Sequence, residues 1–287
     1  MADLAFSVCV PGGELAGIQS GAGYPLLVLH GGPGLNDYSS MFAAELAGWR
    51  ALRYTQRGAP PSTTSGPFTV GQHVRDALAV LDHHQVGSAV VLGHSWGGYL
   101  AMQLAAAAPE RASALVLVDT LGGTGDGGFT RFGANLEART SAATLARVGE
   151  LAELARAQSG TPQAEATQLE SLRLMWPSYF PDPSAAPPPP ANLRIGMDCY
   201  QGTLESVTAA QAEGKLPGRL SDYAGPVEVV AGAVSPFPVD VAESTAAMFG
   251  AAHLTVVRGA GHFTWSDRPG CVAAALRRIA ARITAPA

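Results

Sequence analysis

Gly93, Ser95 and Gly97 stand in the order G-x-S-x-G inside the stretch VVLGHSWGGYLAM. A serine hydroxyl attacks poorly until a base takes its proton and the backbone presents its oxygen to a substrate. The pattern meets the second need. Small residues let the chain turn sharply from a β-branched run into an Ala-rich helix, lifting the hydroxyl out at the strand's C-terminal end. The helix start beside it offers unpaired N–H groups and a positive dipole end to a developing oxyanion. Ser95 is the candidate nucleophile. An ordinary glycine-rich helix start would use the same residues, so the rest of the chain has to supply the partners.

Two stretches do. In VLHGGPG (28–34) the glycines allow a backbone N–H to approach a substrate oxygen, which assigns Gly32 N–H and Trp96 N–H to an oxyanion hole. His30 reads as a structural hydrogen-bonder. In VVRGAGHFTWSDRP (256–269) His262 follows the last strand, with Gly on its N-terminal side, and is the candidate general base. His73, His83 and His84 lie in or at the end of a helical pattern and read as surface residues. His94 flanks the nucleophile, and His253 begins a strand.

HGGPG, QRG (56–58), GHSWGG and GHF together resemble the α/β-hydrolase superfamily, most of all its proline-iminopeptidase-like branch, over nearly the whole chain. The resemblance implies a Ser/His/Asp triad, an acyl-enzyme intermediate, no cofactor and an inserted helical cap. The chain also departs from that branch. Thr55 precedes QRG where the branch usually has Asp, and Pro177 follows Trp176 where the branch places a glutamate that holds the substrate's amino group. A buried ammonium needs an anionic partner. Glu170 and Glu205 are cap glutamates that a solvated helix face explains equally well.

The triad acid is the open point. In the superfamily's common layout it follows the strand at 226–231 in a G-x-x-D pattern, but Gly232-Ala233-Val234-Ser235 puts serine there, 27 residues before His262. Asp240 follows Pro238 and reads as a helix cap. Asp119, 24 residues after Ser95 at the end of ALVLVD, would emerge at the same sheet edge as Ser95 and His262. Certain lipases and dehalogenases are similar in taking their acid from that strand. Asp119 is the working assignment, with Asp240 or no carboxylate as the alternatives. Removing the charge lowered turnover about 10⁴-fold in a protease triad, about 5.5 kcal/mol of barrier.

The elements that must position these residues are legible as alternation. Strand patterns fall at 5–10, 14–19, 25–30, 50–55, 89–93, 114–119, 226–231 and 253–258, and helical ones at 38–47, 70–83, 97–107 and 271–283. Short apolar strands between amphipathic helices indicate a mostly parallel sheet covered by helices on both faces. From about 122 the alternation gives way to helical patterns, interrupted by PDPSAAPPPPAN (181–192), whose prolines favour an extended connector. The division is an α/β core at 1–120 and 221–287 with a helical cap at 121–220.

With 47% apolar and 14% charged residues, the 287-residue chain can bury a large core. A net charge of −5 argues against nucleic acid, and a solvated helix face accounts for Arg277 and Arg278. No window has the length or apolarity of a secretory signal or membrane span. Cys9, Cys199 and Cys271 are unclustered, so neither a disulfide framework nor a metal site is expected. The setting expected is soluble and cytoplasmic, the partner a small-molecule substrate.

These readings combine into a serine hydrolase for a small or medium apolar ester, lactone or amide. The pocket would lie between sheet edge and cap, with apolar lining from Trp96, Met175, Trp176, Phe180 and Phe263, Trp176 and Phe263 foremost. Two rivals remain: an aminopeptidase releasing an N-terminal or aminoacyl residue, and a non-hydrolytic binder with a degenerate triad.

Overall fold

A computed structural model of the chain describes residues 3–158 and 161–283. The first two and last four residues of the expected core, and 159–160 of the expected cap, lie outside the described residues. Eight strands form one sheet: β1 (Leu4–Val10), β2 (Gly13–Ser20), β3 (Pro25–Leu29), β4 (Arg50–Tyr54), β5 (Ala89–His94), β6 (Ala112–Val118), β7 (Val227–Gly232) and β8 (Ala252–Val257). Their order is β1-β2-β4-β3-β5-β6-β7-β8. β1 and β2 pair antiparallel, as do β2 and β4, while β4 through β8 run parallel.

Alternation along the strands explains the two-sided cover. Leu27, Leu29, Val91, Leu115, Leu117 and Val229 face one core. It is completed by α1 (Val70–His83), α2 (Trp96–Ala107) and α8 (Val239–Ala246). Leu26, Val28, Val90, Leu92, Val116 and Val230 face the other, packed by Phe42, Trp49 and α10 (Cys271–Ile283). Successive strand residues point to opposite faces, so strands buried on both sides must be apolar throughout. The helical pattern expected at 38–47 is a 3₁₀ segment, Ser39–Leu46, interrupted at Phe42 by non-helical backbone.

Between β6 and β7 the chain forms α3 (Phe129–Ala138), α4 (Ala142–Ala157), α5 (Pro162–Met175), a 3₁₀ turn at Trp176–Tyr179, α6 (Met197–Glu213) and α7 (Leu216–Leu220). A short helix, α9 (Thr264–Asp267), precedes α10. Side-chain caps set two of these starts: Ser141 accepts from Thr144 N–H, and Thr161 from Ala164 N–H. None of the described helices is long and apolar enough to cross a membrane.

The register aligns the sheet's C-terminal edge. His94 lies opposite Val118, Val118 opposite Val230, and Leu29 opposite Gly93. The residues that follow the strand ends, His30, Ser95, Asp119 and Ala233, therefore leave the sheet along one edge. Ser95 N–H still donates to Val118 C=O at 3.0 Å and Asp119 N–H to Val230 C=O at 2.7 Å.

Candidate active site

Ser95 sits between β5 and α2 with φ 56° and ψ −122°, a conformation that costs a non-glycine residue about 1–3 kcal/mol. Two glycines make the turn possible. A Cβ on Gly93 would lie 2.1 Å from Gly97 O, and one on Gly97 would lie 2.1 Å from Leu29 O. The Ser95 side chain makes no capping bond to its helix, so its hydroxyl stays available.

His262 arrives on the loop after β8 and is buried. Its Nδ1 donates to Asp119 Oδ2 at 2.5 Å, which leaves Nε2 as the basic nitrogen of the neutral ring. Asp119 is buried at the end of β6, with φ 43°. Its Oδ1 accepts Gly232 N–H at 3.0 Å, and its Oδ2 also accepts the Ser235 hydroxyl. Ser235 Oγ in turn accepts Phe237 N–H at 3.1 Å. The serine at the usual acid position thus donates to a carboxylate from the neighbouring strand. Asp240 is elsewhere. It lies in the first turn of α8 but makes no side-chain cap, and pairs with Arg131 on the surface, correcting the capping expectation.

Ser95, His262, Gly32 and Trp96 line one cavity of about 120 Å³, with Trp176 and Phe263 in its wall. No hydrogen bond joins Ser95 Oγ to His262 here; such contacts commonly tighten once substrate is bound. Gly32 has φ 61°, and Trp96 N–H is the first of α2, one of the groups a helix leaves unpaired. Phe132, Leu172, Tyr179, Tyr200 and Leu204 supply wall from the helices between β6 and β7. The lining contains no Asp, Glu, Lys or Arg. Phe180 does not reach the cavity and stacks behind Phe263 at 5.3 Å, while Met175 faces the Thr140 hydroxyl. Glu170 is tied to Arg147 on the surface and Glu205 is exposed.

A buried polar chain behind the site has only one consistent direction. His94 Nε2 lies 3.0 Å from His262 C=O, which can only accept, so Nε2 carries the proton and Nδ1 does not. Tyr38 O–H therefore donates to His94 Nδ1, at 2.6 Å, and accepts Gly31 N–H at 2.8 Å. Burial holds the His94 pKa well below its ordinary value, consistent with a neutral ring. The chain links the Gly31–Gly32 loop to the backbone of His262. Sequence reasoning missed Tyr38, although its position a few residues after HGGPG was a signal.

His30 does act structurally: its Nδ1 bonds Gly31 O, and its Nε2 accepts Gln56 N–H at 3.0 Å. Gln56 also accepts the Trp96 indole N–H at 2.8 Å, so the QRG segment steadies the residue after Ser95. Arg57 is buried against Asp76. His73 is not a surface residue. It is buried between Thr203, 3.1 Å from its Nε2, and the Trp96 ring. Arg278 is likewise engaged, bonding the buried Glu228 at 2.8 Å. Among the described residues no cluster of three or more His, Cys, Asp or Glu side chains could hold a metal ion.

The family model described as the alpha/beta hydrolase fold matches residues 24–269. The chain is 29% identical over 220 residues to 3-oxoadipate enol-lactonase 2 of Acinetobacter baylyi, covering 74% of this chain and 72% of that protein. A proline iminopeptidase of Arabidopsis thaliana is 34% identical over 107 residues, 34% of this chain and 28% of that one. Other curated matches are also partial: that to lipase LipV of Mycobacterium tuberculosis, 47% identical over 58 residues, covers 20% of this chain and 22% of the lipase. Among solved structures, a hydrolase from Pseudomonas aeruginosa PA01 superposes with a TM-score of 0.63 at 26% identity, covering 96% of this chain and 98% of that one.

Proposed function

Since the chain belongs to the α/β hydrolase family and is a hydrolase, we propose that it cleaves small uncharged esters or lactones through an acyl-enzyme on Ser95. Ser95 Oγ attacks the carbonyl while His262 Nε2 takes its proton. The Gly32 and Trp96 N–H groups receive the oxyanion. Collapse of the tetrahedral species expels the alkoxide, which takes the proton back from His262. Water, deprotonated by the same imidazole, then releases the acid. Asp119 keeps His262 in the required tautomer and stabilises the imidazolium.

One observation carries this reading: His262, hydrogen-bonded to Asp119, opens with Ser95 on a cavity whose lining bears no formally charged side chain. That lining favours an uncharged acyl group. At about 120 Å³ the cavity is on the scale of the roughly 150 Å³ that admits benzene, which favours a short one. The likeness to an enol-lactonase adds lactones to the candidates. An aminopeptidase would bury the substrate's ammonium, and no carboxylate in the lining meets it.

The test is a pre-steady-state burst with p-nitrophenyl butyrate. The expected result is release of one p-nitrophenol per active site before the steady state, and no burst from Ser95→Ala. Undiminished turnover by Ser95→Ala, or preferred release of free amino acids from aminoacyl naphthylamides, contradicts the proposal.

A further inference from the structure

Two polar groups in the cavity take no part in the chemistry above. Tyr179 ends the 3₁₀ turn beside α5, Tyr200 lies in the first turn of α6, and both line the cavity. The Tyr179 ring lies 5.4 Å from the His262 ring, and its carbonyl accepts His262 N–H at 2.9 Å, so this phenol belongs to the wall nearest the base. Tyr200 is close enough for charge there to raise the Tyr179 pKa further.

The cavity has a third phenol, Tyr38, which is engaged on both sides. Among the described residues, the hydroxyls of Tyr179 and Tyr200 have no hydrogen-bond partner. Burial pushes both pKa values up, so both stay protonated and able to donate. Both residues line the cavity, and a phenol without a partner from the protein keeps its demand for one. That partner is not an anion, because no Lys or Arg lines the space, and not an ammonium, because no Asp or Glu does.

We infer that Tyr179 and Tyr200 form a second polar subsite that donates hydrogen bonds to a neutral oxygen of the substrate, such as a ketone, ester or amide carbonyl, a few bonds from the scissile carbonyl. The substrate class is then an oxygen-bearing ester or lactone, not a plain alkyl ester. This inference rests on hydrolysis at Ser95 as proposed.

The experiment compares p-nitrophenyl 3-, 4- and 5-oxohexanoate with p-nitrophenyl hexanoate, each rate divided by its hydroxide-catalysed rate. For the parent enzyme, kcat/KM is expected to favour at least one oxo ester by about tenfold or more. That ratio should shrink in Tyr179→Phe and in Tyr200→Phe and vanish in the double variant, whatever the absolute rates. No preference in the parent, or one that survives in the double variant, overturns the inference. Binding of the matching methyl esters to Ser95→Ala separates this failure from that of the hydrolytic reading. Tighter binding of an oxo ester, lost with the two tyrosines, supports the subsite even if turnover does not depend on Ser95. Equal binding of all four esters overturns it.

Discussion

The Asp119 carboxylate takes three donors at once, Gly232 N–H, the Ser235 hydroxyl and His262 Nδ1–H. In the proposed mechanism Ser235 therefore supports the Asp119 carboxylate and does not replace it, and the degenerate-triad reading loses the observation that motivated it. Ser235→Ala removes one charge-assisted bond while leaving the carboxylate against the imidazole. It is expected to lower kcat about tenfold; a loss as large as that for removing the carboxylate would contradict this role. Tyr38→Phe leaves Gly31 N–H and His94 Nδ1 without their partner. The expected cost is about 1–3 kcal/mol of stability. In steady-state kinetics kcat should fall further than KM rises, because the Gly31–Gly32 loop and His262, the proposed oxyanion loop and base, lose their common tie. Equal changes in both would contradict that.

At the scale of elements, the elbow turn shows how backbone space sets the chemistry. Gly97→Ala would drive a methyl into Leu29 O, and its expected cost is about 3 kcal/mol of stability with loss of turnover; urea denaturation and the burst measure the two effects. The central strands β3, β5 and β6 were legible in the sequence because each is largely apolar and bounded by turn residues, and the clustered small residues made both glycine-rich turns legible. Less legible were the buried polar pairs. Arg57 and Asp76 lie 19 positions apart, and Glu228 meets Arg278 across 50. Periodicity within one element says nothing of a partner on another. His73 was misread in the same way: its helical position suggested solvent, but the helix between Thr203 and Trp96 buries that face. Asp76→Asn, which leaves Arg57 buried without its anion, is expected to destabilise the fold by about 3–5 kcal/mol, again read by urea denaturation. An unchanged midpoint would contradict the pairing.

For the whole molecule, three buried imidazoles couple folding to pH. Burial lowers the pKa of His30 and His94 and brings that of His73 down to about 3. The unfolded chain, with ordinary histidines near 6.5, binds protons first as pH falls. Stability is thus full above about pH 6.5 and is lost as pH falls toward 3, by up to about 1.4 kcal/mol per pH unit for each histidine. Urea midpoints at pH 7.5, 5.5 and 4.5 should decrease in that order, and less steeply in His73→Gln; a flat series would contradict buried neutral rings. The proposed catalytic groups likewise depend on the whole fold, since Ser95, Asp119 and His262 follow the ends of β5, β6 and β8. The most direct test is kcat on an activated ester for Asp119→Asn, with folding checked by circular dichroism and Asp240→Asn as reference. A loss on the order of 10³–10⁴-fold is expected for Asp119→Asn, with Asp240→Asn near the parental rate. Parental turnover by folded Asp119→Asn would contradict the account.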